Sequence, residues 1–339
     1  MWNAVRVMTN DVRHRGSNSP VVAVASLRKT YRGGVTALDG LDLTVPAMTI
    51  FGLLGPNGAG KTTTVKILTT LSRPDEGTAE VAGVDVLSQP DRVRRVVGYV
   101  AQRSGADIQA TGTENLVLQA RVHGLDRSEA RRRSSQLLER FGLARDADRL
   151  VKTWSGGMRR RLDIALALMH SPQVLFLDEP TTGLDPEVRT ELWDEIRRLR
   201  DVDGVTVLLT THYLEEADQL ADRLAIIDQG KVVAEGTPSE LKDSMRGDGL
   251  HIELSAPDTT GKAIDVLNSD FGLRDLVVEG RIVHARAGRG AETVPRVLAA
   301  LNGAGIEVLA VTVNRPSLDD VFLRHAGRKF IPMEKGAAS

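Results

Sequence analysis

Residues 55–63 constrain this chain more than any other stretch. They read Gly-Pro-Asn-Gly-Ala-Gly-Lys-Thr-Thr and match the pattern Gly-x-x-x-x-Gly-Lys-[Ser/Thr]. An apolar run at 49–54 predicts a buried strand before them, and a helical pattern at 61–71 follows. Glycines allow backbone angles that other residues avoid, so successive N–H groups can turn inward around a phosphate chain. The N-terminal end of the following helix would attract the same anion.

The pattern therefore predicts a loop that binds the phosphates of a nucleotide. The ammonium group of Lys61 would reach the outer phosphates, and the hydroxyl group of Thr62 would ligate Mg²⁺. The alternative is a glycine-rich turn without a ligand, which the flanking strand and helix disfavour. The residues predicted to contact the nucleotide are Gly55, Pro56, Asn57, Gly58, Ala59, Gly60, Lys61, Thr62 and Thr63.

Composition limits the other functions that the chain can have. The 339 residues carry a formal net charge of −1, which argues against a nucleic-acid partner because phosphate backbones need a basic surface. The absence of cysteine excludes disulfides, thiolate zinc sites and thiol catalysis. No apolar run approaches the ~18 residues of a membrane span, and residues 1–20 lack the apolar stretch of a signal peptide. We therefore expect neither secretion by that route nor insertion into a membrane.

Two predicted buried strands end in polar side chains. Residues 174–177 are followed by Asp178 and Glu179, and residues 205–210 are followed by Thr211 and His212. Ligands of parallel sheets bind beyond the carboxyl ends of the strands, so we expect these side chains to lie at the same edge as the phosphate loop. Taken alone, adjacent acids are compatible with an ordinary surface, and a single histidine is more often structural.

Two single residues are candidates by their position. Gln102 ends a strand predicted at 96–101, and Tyr31 lies in a turn ahead of the phosphate loop, where its ring could stack on a purine base. Considered by themselves, both are more typical of surface residues.

Two predicted helix starts also attract attention. Ser155 and Asp185 can each act as an N-cap, and Pro186 suits the first position of the second helix. Gly156 and Gly157 weaken the first turn after Ser155, which makes sense if a ligand must approach the N-terminal amides closely.

Changes in pattern along the chain divide it into four predicted parts. Residues 1–20 form a polar lead that we expect to be disordered, with Met1 and Met8 as alternative starts, and residues 327–339 form a tail. Residues 21–246 form an α/β domain with a helical subdomain at about 103–170, in which Thr113 and Ser128 are expected to cap two helices. Residues 247–326 suggest a small β-α-β-β-α-β domain followed by a helix, and we expect it to serve in interaction or regulation.

The order of these motifs resembles the nucleotide-binding domain of ATP-binding cassette (ABC) proteins. The resemblance runs from about residue 21 to 245, and it implies an α/β fold with a mixed-sheet core and a helical subdomain. The motif at 154–158 departs from the usual Leu-Ser-Gly-Gly-Gln because Trp154 and Met158 replace its outer residues. The central Ser-Gly-Gly, which contacts phosphate in the family, is intact.

The resemblance implies a role for each candidate residue. Glu179 is the natural base for the attacking water, and His212 and Gln102 complete the catalytic set. Thr62, Gln102 and Asp178 would surround Mg²⁺, while Tyr31 falls where the family stacks an aromatic ring on adenine. Family members place the serine-glycine motif on the ATP of a second subunit, so the chain is expected to form a homodimer, with a heterodimer with a related chain as the alternative. The residues expected in that shared site are Ser155, Gly156, Gly157 and Asp185.

Three further stretches narrow the resemblance to daunorubicin-resistance-type export ATPases. They are residues 158–161, 211–217 and 315–323. This subfamily implies an ATPase at the cytoplasmic face of the membrane, docked on a separate permease that exports a drug-like or lipid-like substrate. One alternative is a non-transport ABC ATPase acting on ribosomes or DNA, which the single phosphate loop and the net charge disfavour. Another is a small GTPase or kinase, which the serine-glycine motif and the paired acids disfavour.

Overall fold

The computed structural model describes residues 20–245, 247–268 and 271–326. The predicted tail and the predicted lead, except Pro20, lie outside these residues. Among the described helices, none combines the length and the apolar character that crossing a membrane requires.

The first 245 residues contain ten strands and eight α-helices among the described residues. The strands are β1 (Val22–Tyr31), β2 (Val35–Val45), β3 (Ile50–Leu54), β4 (Glu76–Val81), β5 (Val84–Asp85), β6 (Val97–Val100), β7 (Val174–Asp178), β8 (Thr206–Thr211), β9 (Arg223–Asp228) and β10 (Lys231–Gly236). The helices are α1 (Lys61–Leu68), α2 (Pro90–Val96), α3 (Gly112–Val122), α4 (Arg127–Arg140), α5 (Gly156–Ala167), α6 (Pro186–Asp201), α7 (Leu214–Leu220) and α8 (Pro238–Asp243).

A six-stranded sheet in the order β10-β9-β3-β8-β7-β6 forms the centre. Neighbouring strands from β9 to β6 run parallel, and only β10 at the edge is antiparallel. Every residue of β3, β7 and β8 is buried, as expected for strands covered on both faces. The register places Leu54 beside Thr211, and Asp178 beside Thr210. The carboxyl ends of three strands therefore meet at one edge, as the sequence predicted.

A second sheet, in the order β2-β1-β4-β5, is antiparallel and packs on the helix after the phosphate loop. Its core includes Leu38, Leu41 and Val81 together with Phe51 of β3 and Val65 of α1. Tyr31 is the last residue of β1. This packing brings the end of β1 next to the phosphate loop.

The helical subdomain contains α3, α4 and α5, whose buried side chains share one core with the central sheet. Two helix starts differ from the prediction. α3 is capped by Thr111 rather than Thr113, since Thr111 and Glu114 form a reciprocal capping box. α4 is capped by Asp126 rather than Ser128, because the Asp126 carboxylate accepts two backbone N–H groups.

The C-terminal part has the element order β-α-β-β-α-β followed by one more helix. Its elements are β11 (Asp248–Leu254), α9 (Thr260–Leu267), β12 (Arg274–Glu279), β13 (Ile282–Ala287), α10 (Gly290–Gly303), β14 (Val308–Asn314) and α11 (Leu318–Ala326). The strands form an antiparallel sheet in the order β12-β13-β11-β14. The predicted fold class, a mixed-sheet core with a helical subdomain and a small α+β unit, is confirmed.

Helix α11 connects the two parts. Val321 and Phe322 are buried against a cluster that contains Leu54 at the end of β3 and Ala217 of α7. On the other side, the Asp320 carboxylate lies 3.1 Å from the Arg286 guanidinium of the small sheet. The sequence pattern groups α11 with the small domain and does not predict its packing on the core. The division at residues 246–247 therefore stays a prediction.

Candidate functional site

The phosphate loop is shaped by close backbone packing. Gly60 has φ +111°, and a Cβ atom there would lie only 2.6 Å from the carbonyl oxygen of Ala37. A larger residue is therefore excluded both by conformation and by space. Lys61 is 4% exposed, and its ammonium group donates to the carbonyl oxygens of Gly55 at 2.6 Å and Pro56 at 3.1 Å. The loop thus positions one buried cation at the start of α1.

Two carboxylates act on this cation electrostatically. Burial lowers the pKa of Lys61, whereas Glu179 and Asp178 act in the opposite direction and the net pKa stays below its usual value. A buried cationic group and two acids thus influence one another at the end of the central sheet. Such an arrangement is typical of functional sites, where several charges are brought into a partly dehydrated space.

Asp178 is the last residue of β7 and is 2% exposed. Its Oδ1 atom accepts hydrogen bonds from the hydroxyl groups of Thr62, at 3.1 Å, and Thr210, at 2.6 Å. The structure thus brings together two of the three predicted metal-binding residues. Thr210, on the neighbouring strand, orients the carboxylate and was not identified from the sequence.

Glu179 has a backbone conformation that side chains rarely adopt. Its φ is +47°, in the left-handed region, which for a residue other than glycine costs on the order of 1 kcal/mol. The backbone N–H of Glu179 donates to both the carbonyl oxygen of Thr210, at 3.1 Å, and its hydroxyl oxygen, at 3.0 Å. These bonds hold the turned backbone, which directs the side chain away from the strand.

The side chain of Glu179 brings the predicted catalytic residues together. Its Oε2 atom accepts hydrogen bonds from Gln102 Nε2, at 2.7 Å, and from the Thr182 hydroxyl, at 3.2 Å. Its Oε1 atom lies 3.1 Å from His212 Nδ1. Burial raises the pKa of Glu179, but His212, Lys61 and Thr182 outweigh it and the pKa is lower than usual. The carboxylate is therefore ionised at neutral pH.

Tyr31 lies at the rim of the same site. The side chain is 40% exposed, and its hydroxyl oxygen is 3.4 Å from the Thr63 hydroxyl oxygen in the first turn of α1. The ammonium group of Lys29 lies 5.7 Å from the ring centroid. An exposed aromatic face beside the phosphate loop can stack on a nucleobase.

The serine-glycine motif begins α5. Ser155 is the N-cap and accepts a hydrogen bond from Met158 N at 3.2 Å, as the sequence predicted. Ser155 and Gly156 are exposed, and a Cβ atom on Gly156 would meet nothing within 4 Å. Gly157 is buried, and a Cβ atom there would lie 2.5 Å from Val188 Cγ1. The helix start is thus open on one side and closely packed on the other.

Trp154, which replaces the leucine of the usual Leu-Ser-Gly-Gly-Gln motif, has a structural role. Its side chain is 2% exposed and packs in the core of the helical subdomain, where it lies directly against Gly112. A Cβ atom on Gly112 would lie 2.5 Å from the Trp154 ring. The large ring therefore fills a space in the core rather than contacting a ligand.

Asp185 is the exposed N-cap of α6 and accepts a hydrogen bond from Val188 N at 3.0 Å. Within the described part of the chain, neither Asp185 nor the serine-glycine motif is hydrogen-bonded to the phosphate loop. The structure therefore places the predicted residues in two groups. One group surrounds Glu179 and the phosphate loop, and the other is exposed at the starts of α5 and α6.

Arg160 is a buried residue beside the site for which the sequence alone gives no indication. It is 7% exposed, and its guanidinium donates to the carbonyl oxygens of Ala101 at 2.6 Å, Asp178 at 3.0 Å and Pro180 at 2.8 Å. It thus connects α5 to the backbone beside Gln102 and Glu179. One arginine among three in a row carries no local signal for this role, because the pattern alone does not show which of them faces inward.

Comparison with known proteins agrees with this geometry. Residues 38–182 match the family model for ABC transporters, and residues 236–326 match the model for the C-terminal domain of DrrA1-3-like ATP-binding proteins. The chain is 48% identical over 312 residues to the daunorubicin/doxorubicin resistance ATP-binding protein DrrA of Streptomyces peucetius, covering 90% of this chain and 92% of that protein. It is 39% identical to a Nod factor export ATP-binding protein I of Ralstonia nicotianae, covering 92% and 95% respectively.

A solved structure gives the same result for the core. An ATP-binding cassette determined as a dimer in a post-hydrolysis state, with ADP and Pi bound, aligns with a TM-score of 0.59 and 27% identity. The alignment covers 64% of this chain and 98% of that one. With the matching motifs gathered at one sheet edge and the C-terminal model matched as well, this chain belongs to the ABC ATPases, as an ATP-binding subunit of the drug-resistance exporter family.

Proposed function

We propose that two copies of this chain bind two ATP molecules between them and drive export through a separate membrane permease. The observation that carries the proposal is the division of the site into two groups. Lys61, Asp178 and Glu179 face one space, while Ser155 and Gly156 are exposed at an open helix start. The positive end of α5 would close over the phosphates bound by a second copy.

Oligomeric state in the presence and absence of ATP and Mg²⁺ tests this proposal. Sedimentation should detect a dimer that depends on nucleotide. A chain that hydrolyses ATP rapidly while it stays monomeric would contradict it.

Each residue of the group around Glu179 has a defined task in this proposal. Lys61 and the amides of the loop bind the outer phosphates, and the Glu179 carboxylate accepts the proton of the attacking water. His212 lies beside the same carboxylate and orients the water and the terminal phosphate. Gln102 donates to the base, so a movement of the segment that carries Gln102 would move the base.

The residues present fit Mg²⁺. The Thr62 hydroxyl and the Asp178 carboxylate share a hydrogen bond at 3.1 Å, so two hard oxygen donors lie side by side next to the phosphate loop. Mg²⁺ is usually bound by one or two such groups together with substrate phosphates. When bound, it neutralises phosphate charge. Gln102 would complete its surroundings through the amide oxygen.

The surface of α3 supports docking of a permease. Leu118 and Val122, one turn apart on this helix, are 64% and 72% exposed. A cavity of about 350 Å³ is lined by Gln119 of α3, the neighbour of Leu118 in sequence, and by Val100 and Ala101, the two residues before Gln102. A cytosolic segment of the permease in this groove would lie next to Gln102. The ATPase would then function at the cytoplasmic face of the membrane.

Leu118→Glu should separate docking from chemistry. The charge would lie on the exposed apolar face, so we expect association with the cognate permease to fall at least about tenfold, while ATP turnover of the chain alone stays within about twofold. Co-purification with the permease and ATPase assays measure the two effects. Val202→Glu is the matched control, because Val202 is 79% exposed at the far end of α6. Equal loss in both variants would contradict this docking site.

Tyr31→Ala should raise the KM for ATP with little change in kcat. Stacking of a base on an aromatic ring contributes about 1–3 kcal/mol, so an increase of about fivefold or more is expected. Steady-state kinetics measure it, and Tyr31→Phe is the control because the ring is retained while the hydroxyl is removed. An unchanged KM in the alanine variant would show that the adenine base of ATP binds elsewhere.

The relatives bear on the transported substrate. One relative is named for daunorubicin and doxorubicin resistance, and another is named for Nod factor export. Both match this chain over nearly its whole length. Since similar cassettes serve different molecules, we infer that this chain supplies energy and the permease selects the substrate. The substrate class we propose is a drug-like or lipid-like molecule.

A further inference from the structure

Glu216 is a buried acid in the first turn of α7 that the proposed chemistry does not use. It is 1% exposed, and it lies four residues after His212. Its Oε1 atom accepts hydrogen bonds from the Thr181 hydroxyl, at 2.9 Å, and from Trp193 Nε1, at 3.1 Å. One carboxyl group therefore joins α7 to the segment after Glu179 and to α6.

The position of these partners along the chain is informative. Thr181 lies two residues after Glu179 and is fully buried, and Glu216 itself lies in the first turn of the helix that follows His212. The carboxyl group of Glu216 thus joins the segment after the proposed base to the helix that follows the proposed histidine. Trp193 belongs to the middle of α6 and adds an anchor outside both loops.

A second contact runs parallel to this one. The Arg189 guanidinium of α6 lies 5.1 Å from the centroid of the Tyr213 ring, and its Nη2 atom donates to the carbonyl oxygen of Leu184 at 3.5 Å. Tyr213 in turn packs against His212, with ring centroids 4.1 Å apart. The loop that contains Asp185 is therefore joined to the histidine by contacts on two sides.

Burial at this position favours the neutral acid. Desolvation raises the pKa of Glu216 above its usual range, and the hydrogen bonds from Thr181 and Trp193 only partly offset it. A neutral carboxylic acid and a carboxamide have similar shape and hydrogen-bonding capacity. Glutamine should therefore replace Glu216 without loss of the contacts.

We propose that Glu216 is a positioning residue that couples the loop following Glu179 to the loop carrying His212, so that base and histidine move as one unit. The proposal rests on the roles of Glu179 and His212 proposed above. Small displacements of reacting groups can reduce rates by about a hundredfold. Coupling of the two loops would keep the 3.1 Å approach between Glu179 and His212 during closure of the dimer.

The test compares four variants of the full-length chain by steady-state ATPase kinetics and by ATP affinity. Glu216→Ala should lower kcat at least about tenfold with KM and affinity within about twofold, and Glu216→Gln should restore kcat to within about threefold of the original. Thr181→Val should lower kcat about threefold or more. Trp193→Phe, the matched control, removes the other hydrogen bond to Oε1 without altering either loop and should leave kcat within about twofold.

Several results would overturn the proposal. One is normal kcat in Glu216→Ala, and another is a Gln variant as impaired as the Ala variant. Equal loss of kcat in Thr181→Val and Trp193→Phe would show that the carboxyl group only stabilises the fold. If Glu216→Ala does not fold, the comparison of kcat between Thr181→Val and Trp193→Phe decides. A parallel Glu179→Gln variant separates the proposal for Glu216 from the proposed role of Glu179. Normal turnover in that variant would refute the proposed base itself, whatever Glu216 does.

Discussion

Glu179→Gln should reduce ATP turnover by at least about a hundredfold while ATP binding persists. A positioned general base contributes about 10²- to 10⁴-fold, and glutamine keeps the size of the side chain but cannot accept the proton. The low pKa of Glu179 means that the wild-type carboxylate is ready to act at neutral pH. Because ATP would bind without being cleaved, the closed dimer should accumulate. Single-turnover kinetics and sedimentation with ATP measure these two effects.

Thr182→Val is the matched control for this variant. It removes the 3.2 Å hydrogen bond to Glu179 Oε2 but leaves the base in place, so turnover should fall by less than about fivefold. Normal turnover in Glu179→Gln would show that another group takes the proton. Loss of ATP binding in that variant would instead assign Glu179 to the binding of nucleotide.

Lys61→Ala should weaken ATP binding by about a hundredfold and abolish turnover. A charge-assisted hydrogen bond to phosphate contributes about 1.5–3 kcal/mol, and Lys61 is the buried cation at the start of the helix after the loop. Lys66→Ala is the control, because Lys66 is exposed on the same helix and should have no effect on affinity. Titration with a fluorescent ATP analogue measures the change. Equal affinities in the two variants would contradict the assignment.

Lys61→Ala, combined with a second variant, also tests whether the site is shared between two chains. Gly156→Asp should also abolish turnover, since its carboxylate would repel the phosphates bound by the partner, although a side chain there meets nothing within 4 Å in its own chain. An acidic residue in the first turn favours the helix, so folding should be preserved. Mixing the two inactive variants should recover about a quarter of the activity if the sites act independently, because half of the dimers then contain one intact site. No recovery in mixtures shown to contain heterodimers would contradict independent composite sites.

The sequence determined the local elements of the ATP site. Residues 55–63 specify their loop through glycines and a following helix start, and Ser155 and Asp185 cap α5 and α6 as their side chains predict. The apolar runs before Asp178 and His212 identify strands buried on both faces. Such signals lie within a few neighbouring residues, where backbone preference and hydrogen-bond chemistry act directly. Where two possible N-caps lie close together, the sequence alone did not identify the correct one. The structure has Thr111 and Asp126 where Thr113 and Ser128 were predicted.

Tertiary structure alone decided which distant side chains support that site. Arg160, Thr210 and Glu216 come from separate elements, and their contacts depend on strand register and helix packing that no local pattern encodes. The left-handed backbone of Glu179 likewise needs the neighbouring strand to hold it. Helix α11 could be recognised as a helix from its sequence, but its burial against Leu54 and Ala217 depends on how the whole chain folds back. The local sequence therefore identified the candidate reacting groups, and long-range packing determined how they are positioned.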